Sequence, residues 1–156
     1  MSIAENIERL RAEIARAAEE SGRHGSDIKL VAASKMNGSD AVRQAVAAGV
    51  DACGENRVQE MLQKLSEHAY DGAPLHFIGH LQKNKVKNVV GNVDLIESAD
   101  SPELIGLISE RAEKLGIVQD ILIELNIGGE ANKTGMALDL LPQELDTAAG
   151  SAGVRV

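Results

Sequence analysis

The stretch Ile28-Lys29-Leu30-Val31-Ala32-Ala33-Ser34-Lys35 decides how this 156-residue chain is read. It is a short, mostly apolar run that follows the turn residues Gly25-Ser26 and ends in a serine and a lysine. That is the pattern of a strand buried on both faces, and such strands belong to parallel sheets covered by helices. Upstream, Ile3, Ile7, Leu10 and Ile14 recur at helical spacing among Glu and Arg, and Ser21-Gly22 ends that helix. Downstream, strands and helices alternate without a hairpin signal. Gly38-Ser39-Asp40 opens a helix carrying Val42, Ala45 and Val46, and Gly49 closes it. The expected order continues with a strand over 50–53, a helix over 55–69, a strand over 75–78 and a basic helix over about 82–90. A strand over 93–96 then leads to Ser101-Pro102, a capping hydroxyl with proline at the first helical position. Leu104, Ile108, Ala112 and Leu115 share a face of that helix, and Gly116 stops it. A fifth strand is expected over 120–127, a helix over 138–149, and a sixth strand begins at Val154-Arg155-Val156.

Such alternation implies right-handed crossovers and a single α/β domain over residues 1–156, either an open doubly wound sheet or part of a (β/α)8 barrel. After the first strand stands Ala33-Ser34-Lys35-Met36-Asn37-Gly38, not the glycine fingerprint of dinucleotide folds, and no P-loop sequence occurs. A barrel normally takes about 250 residues. Only six strands are counted here, so the chain reads as a barrel truncated after about six strands, or as an open one whose edge is covered.

Composition narrows the function classes. Hydrophobic residues make up 44% and charged residues 26%, as in ordinary globular proteins. Tyr70 and Phe77 are the only aromatics, which disfavours a stacking platform for single-stranded nucleic acid. A net charge of −8 argues against a nucleic-acid or anionic-membrane surface. Cys53 stands alone, so neither an internal disulfide nor a Cys-rich zinc site is available. The N-terminus is charged throughout, and no stretch approaches the roughly 20 apolar residues of a membrane span. The expectation is a cytoplasmic protein.

Parallel sheets bind ligands at the carboxyl ends of their strands. Those ends here are Ser34-Lys35, Gly54-Glu55-Asn56-Arg57, Gly79-His80-Leu81-Gln82, Glu97-Ser98 and Asn126-Ile127-Gly128-Gly129. Lys35 is the most informative, because desolvating an ammonium is costly unless the group is used. Desolvation lowers a lysine pKa, and the free amine condenses with aldehydes. The bland alternative is a lysine snorkelling to solvent, which is the commoner fate. His76 lies within a strand, where a satisfied core histidine is the usual case. His80 has no partner carboxylate or second histidine at metal spacing, so a metal site is rejected. Asn56 and Arg57 alone would be helix-capping residues, and Cys53 a packing residue. Lys83, Lys85 and Lys87 form a basic run best explained as a solvated helix face, and Lys133-Thr134-Gly135 lies in a Gly-rich loop.

Four segments together resemble a known family: Val31-Ala32-Ala33-Ser34-Lys35, then Gly54-Glu55-Asn56-Arg57-Val58-Gln59-Glu60, then His76 through Lys85, then Asn126 through Gly135. In this order and spacing they are similar to the pyridoxal phosphate homeostasis proteins, whose fold resembles the N-terminal barrel domain of alanine racemase. The resemblance spans essentially the whole chain. It implies a (β/α)8 TIM-type barrel carrying pyridoxal 5′-phosphate (PLP) as a Schiff base on Lys35. By the same likeness Asn56, His76, Ser98 and Asn126 line the cofactor rim, and Lys133 matches a family lysine associated here with cofactor exchange. Such proteins bind the aldehyde, limit its free concentration and supply it to PLP-dependent apoenzymes without robust turnover. Two departures stand out. The family usually continues Thr-x-Pro after the lysine, where this chain has Met36-Asn37-Gly38. Family members are also longer, and their phosphate-binding Ser and Gly-Thr segments fall past Val156.

Two other functions compete with the carrier. One is a PLP-dependent amino-acid racemase, which in a two-base scheme needs a second acid/base, and Tyr70 is the only tyrosine. The other is a cofactor-free interaction fragment that associates through an exposed apolar edge.

Overall fold

Ser2 starts the first helix by local chemistry: its hydroxyl accepts from the Glu5 N–H at 3.2 Å while its own N–H donates to the Glu5 carboxylate at 2.6 Å. This reciprocal cap satisfies two of the backbone donors that a helix start leaves open. The computed structural model describes residues 1–130 and 133–156. Helices are α1 (Ile3–Glu20), α2 (Ser39–Ala47), α3 (Val58–Ser66), α4 (Val86–Val89), α5 (Pro102–Leu115) and α6 (Leu141–Ala149). Strands are β1 (Val31–Ala33), β2 (Ala52–Glu55), β3 (Leu75–Phe77), β4 (Leu95–Ala99), β5 (Gln119–Ile123) and β6 (Val154–Arg155). Their hydrogen-bonded order follows the chain, β1-β2-β3-β4-β5-β6, and the registered pairs are parallel.

The chain forms two compact units, residues 1–55 with 59–75, and residues 56–58 with 76–156. In the first, β1 pairs with β2 through Val31↔Ala52, Ala32↔Cys53 and Ala33↔Gly54. Its core is built from Ile7, Val42, Ala52, Cys53, Met61, Ala69 and Tyr70. In the second, β4 pairs with β5, and the register slips between Ile96 and Ala99. Three steps along β4 match two along β5, from Ile121 to Ile123, so a bulge takes in Glu97 and Ser98. The core there is Phe77, Leu81, Val89, Ile96, Leu104, Ile105, Ile108, Ala112 and Ile121. Helix α5 starts on Ser101, whose hydroxyl accepts from Leu104 N–H at 3.3 Å, with Pro102 behind it. It ends on Gly116 at φ 68°, in the left-handed region that glycine tolerates.

Several expectations are corrected. The first strand is three residues long rather than six, because Ile28 to Leu30 lie outside the ladder. The second begins at Ala52 and runs through Glu55, and α3 starts only at Val58. The basic helix is a 3-10 turn, Lys83–Lys85, running into the single turn of α4. The fifth strand ends at Ile123; beyond it only Leu125 bridges, to Met136, which leaves Asn126 in the loop. Leu10 and Leu115 are exposed, at 41% and 42%, so the buried stripes of α1 and α5 are narrower than their periodicity implied.

Candidate functional site

Lys35 stands two residues past the end of β1, after Ser34, and is exposed. The buried amine expected from the sequence is therefore corrected: β1 stops at Ala33, and Lys35 sits with Met36 in a turn beyond the ladder. Its neighbours are strongly fixed. Ser34 is buried, and its hydroxyl donates to a Glu55 carboxylate oxygen, Oε1, at 2.7 Å. The same oxygen accepts from Lys64 Nζ at 2.6 Å and from the Tyr70 hydroxyl at 3.0 Å. Glu55 and Lys64 are 0% and 4% exposed, so this ion pair is buried; Glu55 Oε1 takes its hydrogen bonds from protein groups, whereas its Oε2 is buried without a partner. Burial pulls the Lys64 ammonium down, but the hydrogen bonds and charges of Glu55 and Glu60 outweigh it and raise its pKa. Burial first, and the Glu55 carboxylate next, push the Tyr70 hydroxyl far above its ordinary value. The Cys53 thiol, also inside this unit, is raised to about 11 by burial and by Glu55.

The remaining candidates lie in the second unit. Asn56 stands just past β2, half-buried, and its Oδ1 is buried without a hydrogen-bond partner. Ser98 lies in the β4 bulge, 3% exposed, and its Oγ is likewise buried and unpartnered. Buried polar atoms are rarely left unsatisfied, and bulges commonly re-aim a side chain beside a site. Among the described residues Glu55 Oε2, Arg111 Nε and Glu144 Oε2 are likewise buried without a partner; Asn56 and Ser98 are the two that belong to the expected rim. His76, on β3, places Nδ1 2.7 Å from the Glu97 carboxylate. His80 places Nδ1 3.1 Å from Asp100, so the absence of a carboxylate partner inferred from its spacing is corrected: the partner comes from past the end of β4.

Asn126 and Lys133 share a depression of about 520 Å3, whose lining also includes Gly128, Glu130 and Thr134. Asn126 Nδ2 donates to the Glu130 carbonyl at 2.9 Å and contacts the Lys133 carbonyl at 3.4 Å. The Lys133 ammonium meets the Glu130 carboxylate at 2.6 Å and is exposed. Ala131 and Asn132, part of the fourth sequence motif, lie outside the described residues. The structure thus brings Asn126 and Lys133 together within one loop. Sequence reasoning missed the Glu55–Lys64–Tyr70 cluster, for which the only local signal was the Glu60–Lys64 spacing of four on one helix face.

Residues 3–156 match the family model of the alanine racemase N-terminal domain. A pyridoxal phosphate homeostasis protein of Aquifex aeolicus (strain VF5) is 43% identical over 136 residues, covering 87% of this chain and 60% of its own length. The chain spans about 60% of the length of the first curated relatives it matches. The structure of PipY from Synechococcus elongatus PCC7942 with PLP bound superposes with a TM-score of 0.83 at 29% identity, over 99% of this chain and 68% of that one. An alanine racemase of Clostridium difficile 630, at 14% identity and a TM-score of 0.73, shares the fold over 94% of this chain and 37% of its own. Among the described residues no helix is long and apolar enough to cross a membrane.

Proposed function

The chain belongs to the alanine racemase N-terminal domain family, in the branch of the pyridoxal phosphate homeostasis proteins, and from that premise we propose that it is a cytoplasmic carrier of PLP. When bound, PLP would supply an aldehyde, and Lys35 would be the residue whose amine holds it as a Schiff base. The residues present fit such a group. The observation that carries the reading is that two of the expected rim residues, Asn56 and Ser98, each leave a buried atom, Oδ1 and Oγ, unpartnered toward the carboxyl end of a strand. Asn56 accepts and Ser98 donates or accepts, as polar groups of a phosphorylated pyridine require. His76, held by Glu97, lines the same rim, and Asn126 with Lys133 forms a loop that admits and releases the cofactor.

The carrier does not turn amino acids over. Racemization by two bases needs a second group able to exchange protons near neutrality. Tyr70 does not qualify: it is 4% exposed, donates to Glu55, and its hydroxyl is held far above its ordinary range. The bound aldehyde is thereby stored for PLP-dependent apoenzymes.

The test is to add PLP to the purified chain, reduce with borohydride and map the modified peptide. A band near the visible-violet boundary, lost on reduction and absent from Lys35→Ala, is the expected result. A wild-type chain that remains colourless and unmodified at Lys35 overturns the reading. Release of the α-hydrogen of alanine above background overturns the carrier in favour of an enzyme.

A further inference from the structure

The peptide groups on either side of Lys35 are held from one helix. Lys64 Nζ donates to the Ser34 carbonyl at 2.8 Å, which fixes the peptide entering Lys35. The Met36 N–H donates to Glu60 Oε1 at 2.6 Å, which fixes the peptide leaving it. The Lys35 carbonyl accepts from Asn37 Nδ2 at 3.1 Å. Lys64 also bonds Glu60 Oε1 at 2.8 Å, so both anchors are joined to each other and, through Glu55, to Ser34.

Two features indicate that this arrangement serves position more than stability. A buried ion pair seldom repays its desolvation as well as apolar packing of the same volume would. Met36 adopts φ 62°, a left-handed conformation unusual for a side chain of its size, which persists only where the surroundings over-determine it. Glu60 holds the N–H of that same residue. The exposed Lys35 thus stands on a backbone whose freedom has been removed by groups that do not touch its ammonium.

We infer that Glu60 and Lys64 are positioning residues, which clamp the Ser34–Met36 turn so that the Lys35 amine is presented in one orientation to its aldehyde. This deepens the PLP-carrier reading and rests on it. An amine already oriented loses less freedom on condensation than one on a mobile turn, so the clamp raises retention of the aldehyde.

The experiment compares wild type with Glu60→Ala, Glu60→Gln and Glu60→Asp. It measures the PLP concentration giving half-maximal borohydride trapping at Lys35, together with amide exchange of the peptide containing Met36. In Glu60→Ala the Met36 amide exchanges faster and half-maximal trapping requires about fivefold more PLP, the effect of losing one hydrogen bond of ordinary net strength. Glu60→Gln, whose amide oxygen still accepts from Met36, restores trapping to near wild type. Glu60→Asp keeps the charge but retracts the acceptor, so it behaves like the alanine variant and serves should that one fail to fold. A freed Met36 amide with unchanged trapping overturns the clamp while leaving the carrier intact. A wild type that traps nothing at Lys35 overturns the carrier, and the clamp with it.

Discussion

A Cβ built on Gly79 would lie 2.6 Å from the Cα of Asn56 and equally close to its carbonyl oxygen. The backbone past β3 and the backbone past β2 therefore touch at the place where Asn56 presents its unpartnered oxygen. Glycine is required by this approach, and the obstacle is backbone that cannot swing aside.

Gly79→Ala must push the two segments apart. Overpacking of this kind costs about 1–3 kcal/mol, and a domain of this size loses roughly 2–4 °C of melting temperature per kcal/mol. A thermal scan should show a fall of several degrees together with weaker PLP retention. A variant that melts and binds like wild type would mean that the contact does not position Asn56.

Ser98 gives the opposite sign. Its buried hydroxyl has no partner, so it subtracts from the stability of the protein without PLP. Ser98→Ala deletes that unsatisfied group at almost no change in volume. The PLP-free protein should hold its midpoint in urea or gain up to about 1 kcal/mol, while PLP retention falls. Such a pairing marks a residue kept for a ligand. A loss of stability with unchanged retention would instead make Ser98 an ordinary packing residue.

What could be read from the chain was what local chemistry decides. The cap on Ser101 with Pro102 behind it and the stop at Gly116 depend only on neighbouring residues, and the structure has both. The alternation of apolar runs likewise gave six strands in parallel register, since each run must be covered on both faces. Strand ends were misplaced because they depend on the partner's ladder, as with β5, which stops at Ile123 before Asn126. The desolvation expected of Lys35 failed for the same reason: a three-residue β1 leaves it in the turn. The buried cluster left only the Glu60–Lys64 spacing of four as a local signal. It joins Ser34, Glu55, Lys64 and Tyr70 across up to 36 positions of sequence, and nothing in the spacing of a lone tyrosine and a helix lysine points to a shared carboxylate.

Cys53 is fully buried on β2, and burial together with the nearby Glu55 charge raises its thiol to about 11. At neutral pH both the access and the thiolate that reactivity requires are missing. A disulfide reagent should leave the native protein unlabelled and react stoichiometrically in denaturant. Labelling that tracks local opening, faster than global unfolding, would show that β2 is less secure than its burial implies.

The same cluster sets the alkaline limit of the fold. The Cys53 thiol, ordinarily at 9.0, and the Tyr70 hydroxyl, ordinarily at 10.0, are both raised when folded. As pH climbs past about 9 the unfolded chain sheds these protons while the folded chain keeps them, so stability must fall. Lys64 acts in the same direction but later. Its folded pKa lies above the ordinary 10.5, so its ion pair contributes fully below that value and is lost as pH rises through the raised one. On these groups urea midpoints should hold level from neutrality to about pH 8.5 and then decline, more steeply beyond pH 10. Cys53→Ala should flatten the first part of the decline and leave the later part, which belongs to Tyr70 and Lys64. A midpoint that stays level through pH 10.5 in the wild type would show that the protons of these groups leave the folded and unfolded chains alike, and that neither burial nor the carboxylate of Glu55 holds them.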